Sequence, residues 1–466
     1  MARLVGMMAC GRERELEELL KKKLHPGYKV RVDGSNGITL GMASIDPCRL
    51  AEGFTCDGRL PECDQIDRIM RAAASADRIG LRDALAGIAP PFALAAAARG
   101  HLLLARDPLG VKPLYLGLRF DGKMLLYASE IKLLTGLTRQ ILPLPPGTFV
   151  LDTGEPERFS ALPGIRLEPG VDDAKWASML RAALAGAVSE QGYDGCGILL
   201  SGGLDSATVA ALAAEAGYRC EAFTVVYPGG RDQEYAALLV KNLGWTHHVC
   251  GPSLDDLVAS LPEVIYGLES FDAPLVRSAV VNFHLNKLAS RHVATVLCGE
   301  GSDELFAGYD YLKSISAKEL HGELQKLLEE LPAGGLQRAD RMAHAHGLEP
   351  RVPFMAWEVV SLARRMPPEI LIGPGGIDKW ILRRAMEGFL PEAIVARRKE
   401  KFSVGCGSAE ALAGFCEERI SDNEYLRGKT LPDGSMLRSK EELFYYRIFK
   451  DAFGDGCLPL VSRTRH

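Results

Sequence analysis

The stretch Gly195-Cys-Gly-Ile-Leu-Leu-Ser-Gly-Gly-Leu-Asp-Ser-Ala-Thr-Val209 decides the fold. Ile198, Leu199 and Leu200 form the short apolar run that a parallel strand buried on both faces requires. Ser201, Gly202 and Gly203 then carry almost no side-chain bulk, so the backbone can turn sharply and a ligand can approach the amides. Asp205 and Ser206 are placed to cap a helix whose apolar body begins at Val209. A Gly-rich loop feeding a helix start is an anion site, because the first amides of a helix have no partners within it. The spacing is not that of a Walker A loop, and Gly-Lys-Ser/Thr is absent. Taken alone, the stretch is also compatible with an ordinary strand–loop–helix joint of an α/β domain.

Working outward, a helix over 173–190 precedes the loop. Strands over 221–226, 246–249 and 293–299 then alternate with helices over 232–243, 253–268 and 276–290. That alternation predicts a doubly wound parallel sheet, in which ligands bind at the carboxyl ends of the strands. The second strand runs out through Val225 to Asp232, which either serves the site or caps the next helix. His247 and His248 are adjacent on a strand and point to opposite faces, which argues against two metal ligands at one site. The stretch Val296-Leu-Cys-Gly-Glu-Gly-Ser-Asp-Glu-Leu-Phe-Ala-Gly-Tyr309 repeats the design of strand, Gly-rich loop and helix start, now with Glu300, Asp303 and Glu304. Asp205 and Asp303, at neighbouring strand ends, are candidates to share a Mg²⁺ ion, which favours few carboxylates plus phosphate oxygens. The plainer alternative is that Asp303 and Glu304 only begin a helix.

The N-terminal third reads differently. Residues 4–45 suggest a strand, a charged helix and two strands around the turns at Asp33-Gly-Ser-Asn-Gly37. Residues 64–87 look helical, and Phe92–Ala98 with His101–Ala105 form a hairpin about Arg99-Gly100. Residues 152–172 carry Gly154, Pro156, Pro163, Gly164, Pro169 and Gly170 and read as a linker.

Six further stretches complete the pattern: His346–Phe354, Gly376–Arg383, Arg397-Arg-Lys-Glu-Lys-Phe402 and, in the first third, Leu104–Tyr115, Tyr127–Leu134 and Leu144–Thr148. Ser201-Gly-Gly-Leu-Asp-Ser206 resembles the pyrophosphate loop of enzymes that split ATP into AMP and pyrophosphate. In order and content the whole set resembles the asparagine synthetase B family, strongly over 185–405 and well over 90–150. The resemblance implies a class II glutaminase-like, Ntn-hydrolase sandwich over 1–160, a linker over 161–172 and an ATP-pyrophosphatase (PP-loop) domain over 173–466 with a helical C-terminal part. It implies ATP and Mg²⁺, with Leu200, Ser201, Gly202, Gly203, Leu204, Asp205, Ser206, Val225, Asp232, Cys298 and Gly299 around the nucleotide. Asp205 and Asp303 would hold the metal. Glu300 would serve acyl-adenylate formation and the ammonia proton, and Arg338 and Lys399 would neutralise phosphate charge.

The departures matter as much. The family's nucleophile is a Cys directly after the initiator Met, and here that position is Ala2. The arginines that hold the glutamine carboxylate are missing from Gly41-Met-Ala-Ser-Ile45, and the oxyanion-hole segment survives only as Asp57-Gly-Arg-Leu60. The first domain is therefore expected to lack glutaminase activity; exposure of Cys10 by cleavage is the rival, and would leave the clamp and oxyanion donor absent. Around the acceptor, Gly335 replaces an Asp, Met355-Ala356 replaces Leu-Asp, and Pro274-Leu275 replaces Thr-Thr, with Arg277 kept. The expected activity is an ammonia-dependent amide ligase acting on aspartate by default. A ligase for another carboxylate, as in β-lactam synthetase, and a non-catalytic homologue are the alternatives.

Composition agrees with this reading. At 466 residues the chain needs two domains, and 47% apolar with 25% charged residues is ordinary for a soluble globular protein. A net charge of −5 gives no electrostatic case for nucleic acid. Lys21-Lys22-Lys23 sits among glutamates and reads as a solvated helix face. Eleven scattered cysteines with no CxxC pair read as reduced thiols of a cytoplasmic protein. No 18-residue apolar run exists to cross a membrane. Homodimerisation is implied by the resemblance alone, an ammonia-donating partner has no sequence sign, and 406–466 reads as mixed polar helix and loop.

Overall fold

The structure is a computed structural model that describes residues 2–7, 13–25, 28–35, 38–44, 50–51, 53–119, 125–398 and 408–465. The chain divides into two compact units, Met1–Leu162 with Asp451–Val461, and Pro163–Lys450 with Ser462–His466. Residues 451–461 go with the first unit, whereas the sequence reading kept 173–466 together.

The first unit holds two antiparallel six-stranded sheets. The strands are β1 (Ala2–Met7), β2 (Lys29–Ser35), β3 (Ile38–Ser44), β4 (Leu50–Ala51), β5 (Phe54–Gly58), β6 (Phe92–Ala98), β7 (His101–Arg106), β8 (Tyr115–Arg119), β9 (Leu125–Ala128), β10 (Thr138–Pro143), β11 (Thr148–Leu151) and β12 (Glu157–Arg158). One sheet runs β10-β8-β9-β1-β3-β2 and the other β12-β11-β7-β6-β5-β4. Strand β6, Phe-Ala-Leu-Ala-Ala-Ala-Ala, shows why it is apolar on both faces. Leu94, Ala96 and Ala98 pack with Ile69, Leu81 and Leu85 of the covering helices. Ala93, Ala95 and Ala97 pack with Leu4, Leu40 and Met42 of the other sheet. A period of two distributes one strand between two cores. The expected single helical stretch over 64–87 is two helices, Cys63–Ala74 and Arg78–Ala86. Ala76 adopts φ 51° between them, and Asp77 caps the second by accepting the Gly80 amide at 3.0 Å.

The interior of this unit also buries charge. Arg3 and Asp57 are fully buried, and Arg3 Nε lies 2.7 Å from Glu130 Oε1. Lys112 Nζ stands 3.5 Å from Asp57, and Lys132 pairs with Glu130. Within the Leu104–Tyr115 motif, Arg106 donates to the carbonyls of Lys112, Gly110 and Leu144. Asp107 accepts the amides of Phe92 and Leu109. These two residues shape the loop rather than face a substrate.

The second unit is built on a five-stranded parallel sheet, β15-β14-β13-β16-β17, from β13 (Gly197–Leu199), β14 (Glu221–Val225), β15 (Thr246–Cys250), β16 (Thr295–Leu297) and β17 (Glu349–Arg351). Chain order reverses between β13 and β16, and crevices at such a switch point receive ligands. The expected strand 293–299 is shortened to Thr295–Leu297, with Cys298 and Gly299 already in the loop. The edge strand β17, centred on Pro350, lay unrecognised in the His346–Phe354 motif. Helices Asp232–Leu243 and Ala273–Ala289 both pack on β14. His247 and His248 part as adjacent strand residues must, towards Thr224 (2.8 Å) and Glu221 (2.7 Å). The His248 ring also lies 3.9 Å from that of His292, tilted by 38°, so His248, Glu221 and His292 form one small cluster. The region after 408 holds helices Ala409–Arg419, Asp422–Gly428 and Lys440–Phe453. Among the described residues, no helix is long and apolar enough to cross a membrane.

Candidate active site

The loop after β13 is held by its own serines. Ser206 Oγ accepts the Ser201 amide (3.2 Å), donates to the Gly203 carbonyl (3.3 Å) and lies 3.1 Å from Ser201 Oγ. The cap of helix Leu204–Glu215 is Gly203, which offers no side chain, rather than Asp205 or Ser206 as the sequence suggested. Asp205 and Ser206 lie in the first turn instead. Gly202 adopts φ 70°, and a Cβ there would lie 2.6 Å from the Ala236 amide nitrogen, so only glycine fits.

The loop after β16 presses against this turn. A Cβ on Gly299 would fall 2.8 Å from Asp205 Cβ. Ser302 Oγ donates to Asp205 Oδ1 at 2.8 Å. Asp303 follows in the short helix Ser302–Leu305. Between the two carboxylates stands Lys379, 2% exposed, its Nζ 2.6 and 2.7 Å from the Asp205 oxygens and 2.6 Å from Asp303 Oδ1. Lys379 sits at φ 52°, before helix Trp380–Met386. The carboxylates therefore converge on one cation-sized position, and their hard oxygen donors fit Mg²⁺ once Lys379 shares or yields that place.

Glu300 and Arg338 form a charge-assisted pair beside these groups. Burial alone would lower the Arg338 pKa, but the Glu300 carboxylate outweighs it and holds the guanidinium charged. Glu304 is buried, and desolvation with the Asp303 charge pushes it up to about 7 against the Tyr309 hydroxyl, which donates to it at 2.5 Å. Burial pushes the Cys298 thiol up to about 12, which leaves it neutral and apolar at the cavity wall.

Asp205, Cys298, Glu300, Asp303, Glu304, Tyr309 and Arg338 line one cavity of about 300 Å³, while Lys379 lies behind the two aspartates and is not part of its wall. Of the residues singled out from sequence, Ser201, Asp205, Ser206, Cys298, Gly299, Glu300, Asp303 and Arg338 line it. Leu200, Gly202, Gly203 and Leu204 shape the loop but are not among its wall residues, nor are Val225 and Asp232. Val225 is buried at the end of β14. Asp232 is not a cap. It is the first helical residue and pairs with Arg397 at 2.6 Å. Arg397 in turn donates to the Ser201 carbonyl at 3.3 Å and covers the Tyr235 ring at 4.3 Å, so the pair braces the loop from behind. Lys399 lies outside the described residues.

Sequence reasoning missed the roles of Lys379 and Arg397 and the segment 462–465, which lines the cavity; Glu304, noted in the second loop but given no role, lines it too. Lys379 stood inside a quoted motif, and the only signal of its role was that two facing carboxylates need a cation. The acceptor departures have structural correlates. A Cβ at Gly335 would come 2.9 Å from Glu300 Oε2, and Pro274 and Leu275 form cavity wall. Arg277 pairs with Glu441 at 2.9 Å.

Comparison with known proteins agrees with this geometry. Residues 179–325 and 313–461 match the family described as asparagine synthase, and 69–136 match the glutamine amidotransferase domain. The chain is 32% identical to asparagine synthetase B [glutamine-hydrolyzing] of Escherichia coli (strain K12), over 78% of this chain and 69% of that one. It is 33% identical to asparagine synthetase [glutamine-hydrolyzing] 2 of Arabidopsis thaliana, over 75% of this chain and 64% of that one. It thus spans about two thirds of the length of these relatives. A solved NMN synthetase from Francisella tularensis aligns with 64% of this chain and 98% of its own at 13% identity and a TM-score of 0.29, too slight to bear on the site. Parallel sheet, loop and relatives together define an AMP-forming carbon–nitrogen ligase. The chain belongs to the asparagine synthase family.

Proposed function

We propose that the protein activates a carboxylate, by default that of aspartate, with ATP and transfers free ammonia to it, without glutaminase activity of its own. The reading rests on one observation above others: Ser201, Asp205, Glu300, Asp303 and Arg338, from distant stretches of chain, line a single cavity. A carboxylate does not react with ammonia at neutral pH, because it is anionic and its leaving group is poor. One carboxylate oxygen therefore attacks the α-phosphorus of ATP, and the bond to the bridging oxygen breaks with pyrophosphate leaving. Ammonia then adds to the acyl carbon and the C–O bond to AMP breaks, giving the amide, AMP and one proton.

Each residue has a physical task. The turn Ser201–Ser206 and its helix N-terminus hold the departing pyrophosphate. Asp205 and Asp303 would hold Mg²⁺, which supplies charge stabilisation on the phosphates. Arg338, with Lys399 by resemblance, neutralises charge that grows in the transition state. Glu300 takes the ammonia proton, oriented by Arg338.

Loss of glutaminase activity is supported by the first unit. Ala2 replaces the nucleophile. The arginines that would clamp the glutamine carboxylate are replaced by Gly41 and Met42, and a Cβ on Gly41 would press on the Val5 carbonyl at 3.0 Å. The test incubates the protein with ATP, Mg²⁺ and aspartate and follows pyrophosphate and asparagine, with ammonium or glutamine as nitrogen source. Ammonium-driven release supports the proposal; no release with any carboxylate sinks it.

A further inference from the structure

The cavity wall carries Pro274 and Leu275 on one stretch and a strap of residues 462–465 on another. Pro274 and Leu275 bring no hydrogen-bonding side chain to the cavity, so polar recognition of an acceptor must come from elsewhere. Besides Ser278, Asn282 and Asn286, residues 462–465 place polar side chains on its wall. Thr464 donates its amide (3.1 Å) and its hydroxyl (2.9 Å) to the fully buried Asp272, two residues before Pro274. Arg438 donates to the Thr464 carbonyl, and Arg463 pairs with Glu442 and lies 5.1 Å over the Phe271 ring. The strap is thus fixed by groups on both sides, and it carries Arg465 into the cavity wall.

Arg465 pairs there with Glu330, and both side chains are half-exposed. A pair so placed contributes little stability by itself, and each partner can exchange the other for a ligand. Glu330 directly precedes Leu331, and a Cβ on Gly335 would touch both Leu331 Cδ1 (3.2 Å) and Glu300 Oε2 (2.9 Å). The pair therefore lines the same cavity as Glu300, the group assigned to the ammonia proton.

We propose that Arg465 and Glu330 form a subsite for the α-carboxylate and α-ammonium of an amino-acid acceptor, whose side-chain carboxylate is the one activated. A guanidinium fork matches a carboxylate, and a carboxylate accepts from an ammonium, so the ion pair is complementary to the zwitterion. The inference rests on the ligase reading but names residues and an acceptor class which that reading leaves open.

The test measures binding and turnover separately on the full chain. Aspartate, succinate (no ammonium) and β-alanine (no second carboxylate) are titrated calorimetrically with Mg²⁺ and a non-hydrolysable ATP analogue, and pyrophosphate release is followed with ATP and ammonium. The Arg465→Ala change is expected to weaken aspartate and succinate about tenfold or more and to leave β-alanine and the KM for ATP unchanged. The Glu330→Gln change is expected to weaken aspartate and β-alanine and spare succinate. Aspartate binding that survives both changes, or that falls equally for all three compounds, overturns the subsite, as does wild-type protein that binds no aspartate. Aspartate binding with the expected pattern but no pyrophosphate release upholds the subsite and overturns the ligase reading.

Discussion

At the scale of single residues, Lys379 carries the most consequence. Its ammonium is buried between Asp205 and Asp303, whose side chains are themselves only 16% and 15% exposed. Removing one partner of a buried pair leaves the other charge uncompensated, at a cost of about 3 kcal/mol or more. Lys379→Met should therefore lower Tm and slow pyrophosphate release. Because Mg²⁺ fits the vacated position, adding it should raise the Tm of the variant more than that of the wild type. Equal Mg²⁺ shifts in thermal melts of the two proteins would remove the metal from this carboxylate pair. None of this was legible in Gly376-Ile-Asp-Lys-Trp380 as a string. The role depends on a left-handed backbone at residue 379 and on two loops 98 positions apart at Asp205 and Asp303.

Elements were more legible than residues, in proportion to how local their cause is. The loop Ser201–Ser206 could be read directly, because apolar strand, small residues and helix start are adjacent in the chain. Its supports could not, since Arg397 reaches Ser201 and Asp232 across the fold. The same reasoning separates β14, found from its apolar run, from β17, a three-residue edge strand with a central proline and no periodic signal. Gly202→Ala tests the loop as an element. Holding alanine at φ 70° costs about 1 to 2 kcal/mol, and the new methyl collides with the Ala236 amide. The KM for ATP should rise by about tenfold or more, with the acceptor's affinity unchanged; an unchanged KM would show that the loop does not hold the nucleotide. A second element-scale prediction concerns the helix Ala317–Glu330. His321 is buried in it and donates through Nε2 to the Met366 carbonyl. Burial lowers its pKa below the ordinary 6.5, against the pull of that hydrogen bond. Below pH 6.5 the unfolded chain then binds a proton that the folded chain refuses, so stability is present at neutral pH and lost on acidification. Urea unfolding at pH 7.5 and pH 5 should show a larger loss for the wild type than for His321→Gln, which keeps an amide donor. Parallel losses would mean that His321 titrates normally in the fold.

For the whole molecule, the question is where nitrogen comes from. The first unit has the sandwich of an amidotransferase, and its two cores are packed. The motifs that survive there are the ones that fold it. Arg106 and Asp107 bind backbone, and Arg3, Asp57, Lys112, Glu130 and Lys132 compensate one another's buried charge. Selection on stability alone would keep such residues, whereas the nucleophile, the arginine clamp and the oxyanion donor serve only glutamine. The proposed absence of glutaminase activity therefore rests on Ala2 and on the missing arginines, and not on any failure of the unit to pack. Restoring one part should not restore the reaction: a cysteine at position 2 would still lack the clamp arginines, since Gly41 and Met42 stand in their places. Glutamate release from glutamine should therefore stay at the buffer background for the wild type and for Ala2→Cys, while ammonium supports pyrophosphate release by the wild type. Glutamate release by the wild type at a rate matching its pyrophosphate release would mean that this unit carries a glutaminase of different construction, and that the free-ammonia reading is wrong.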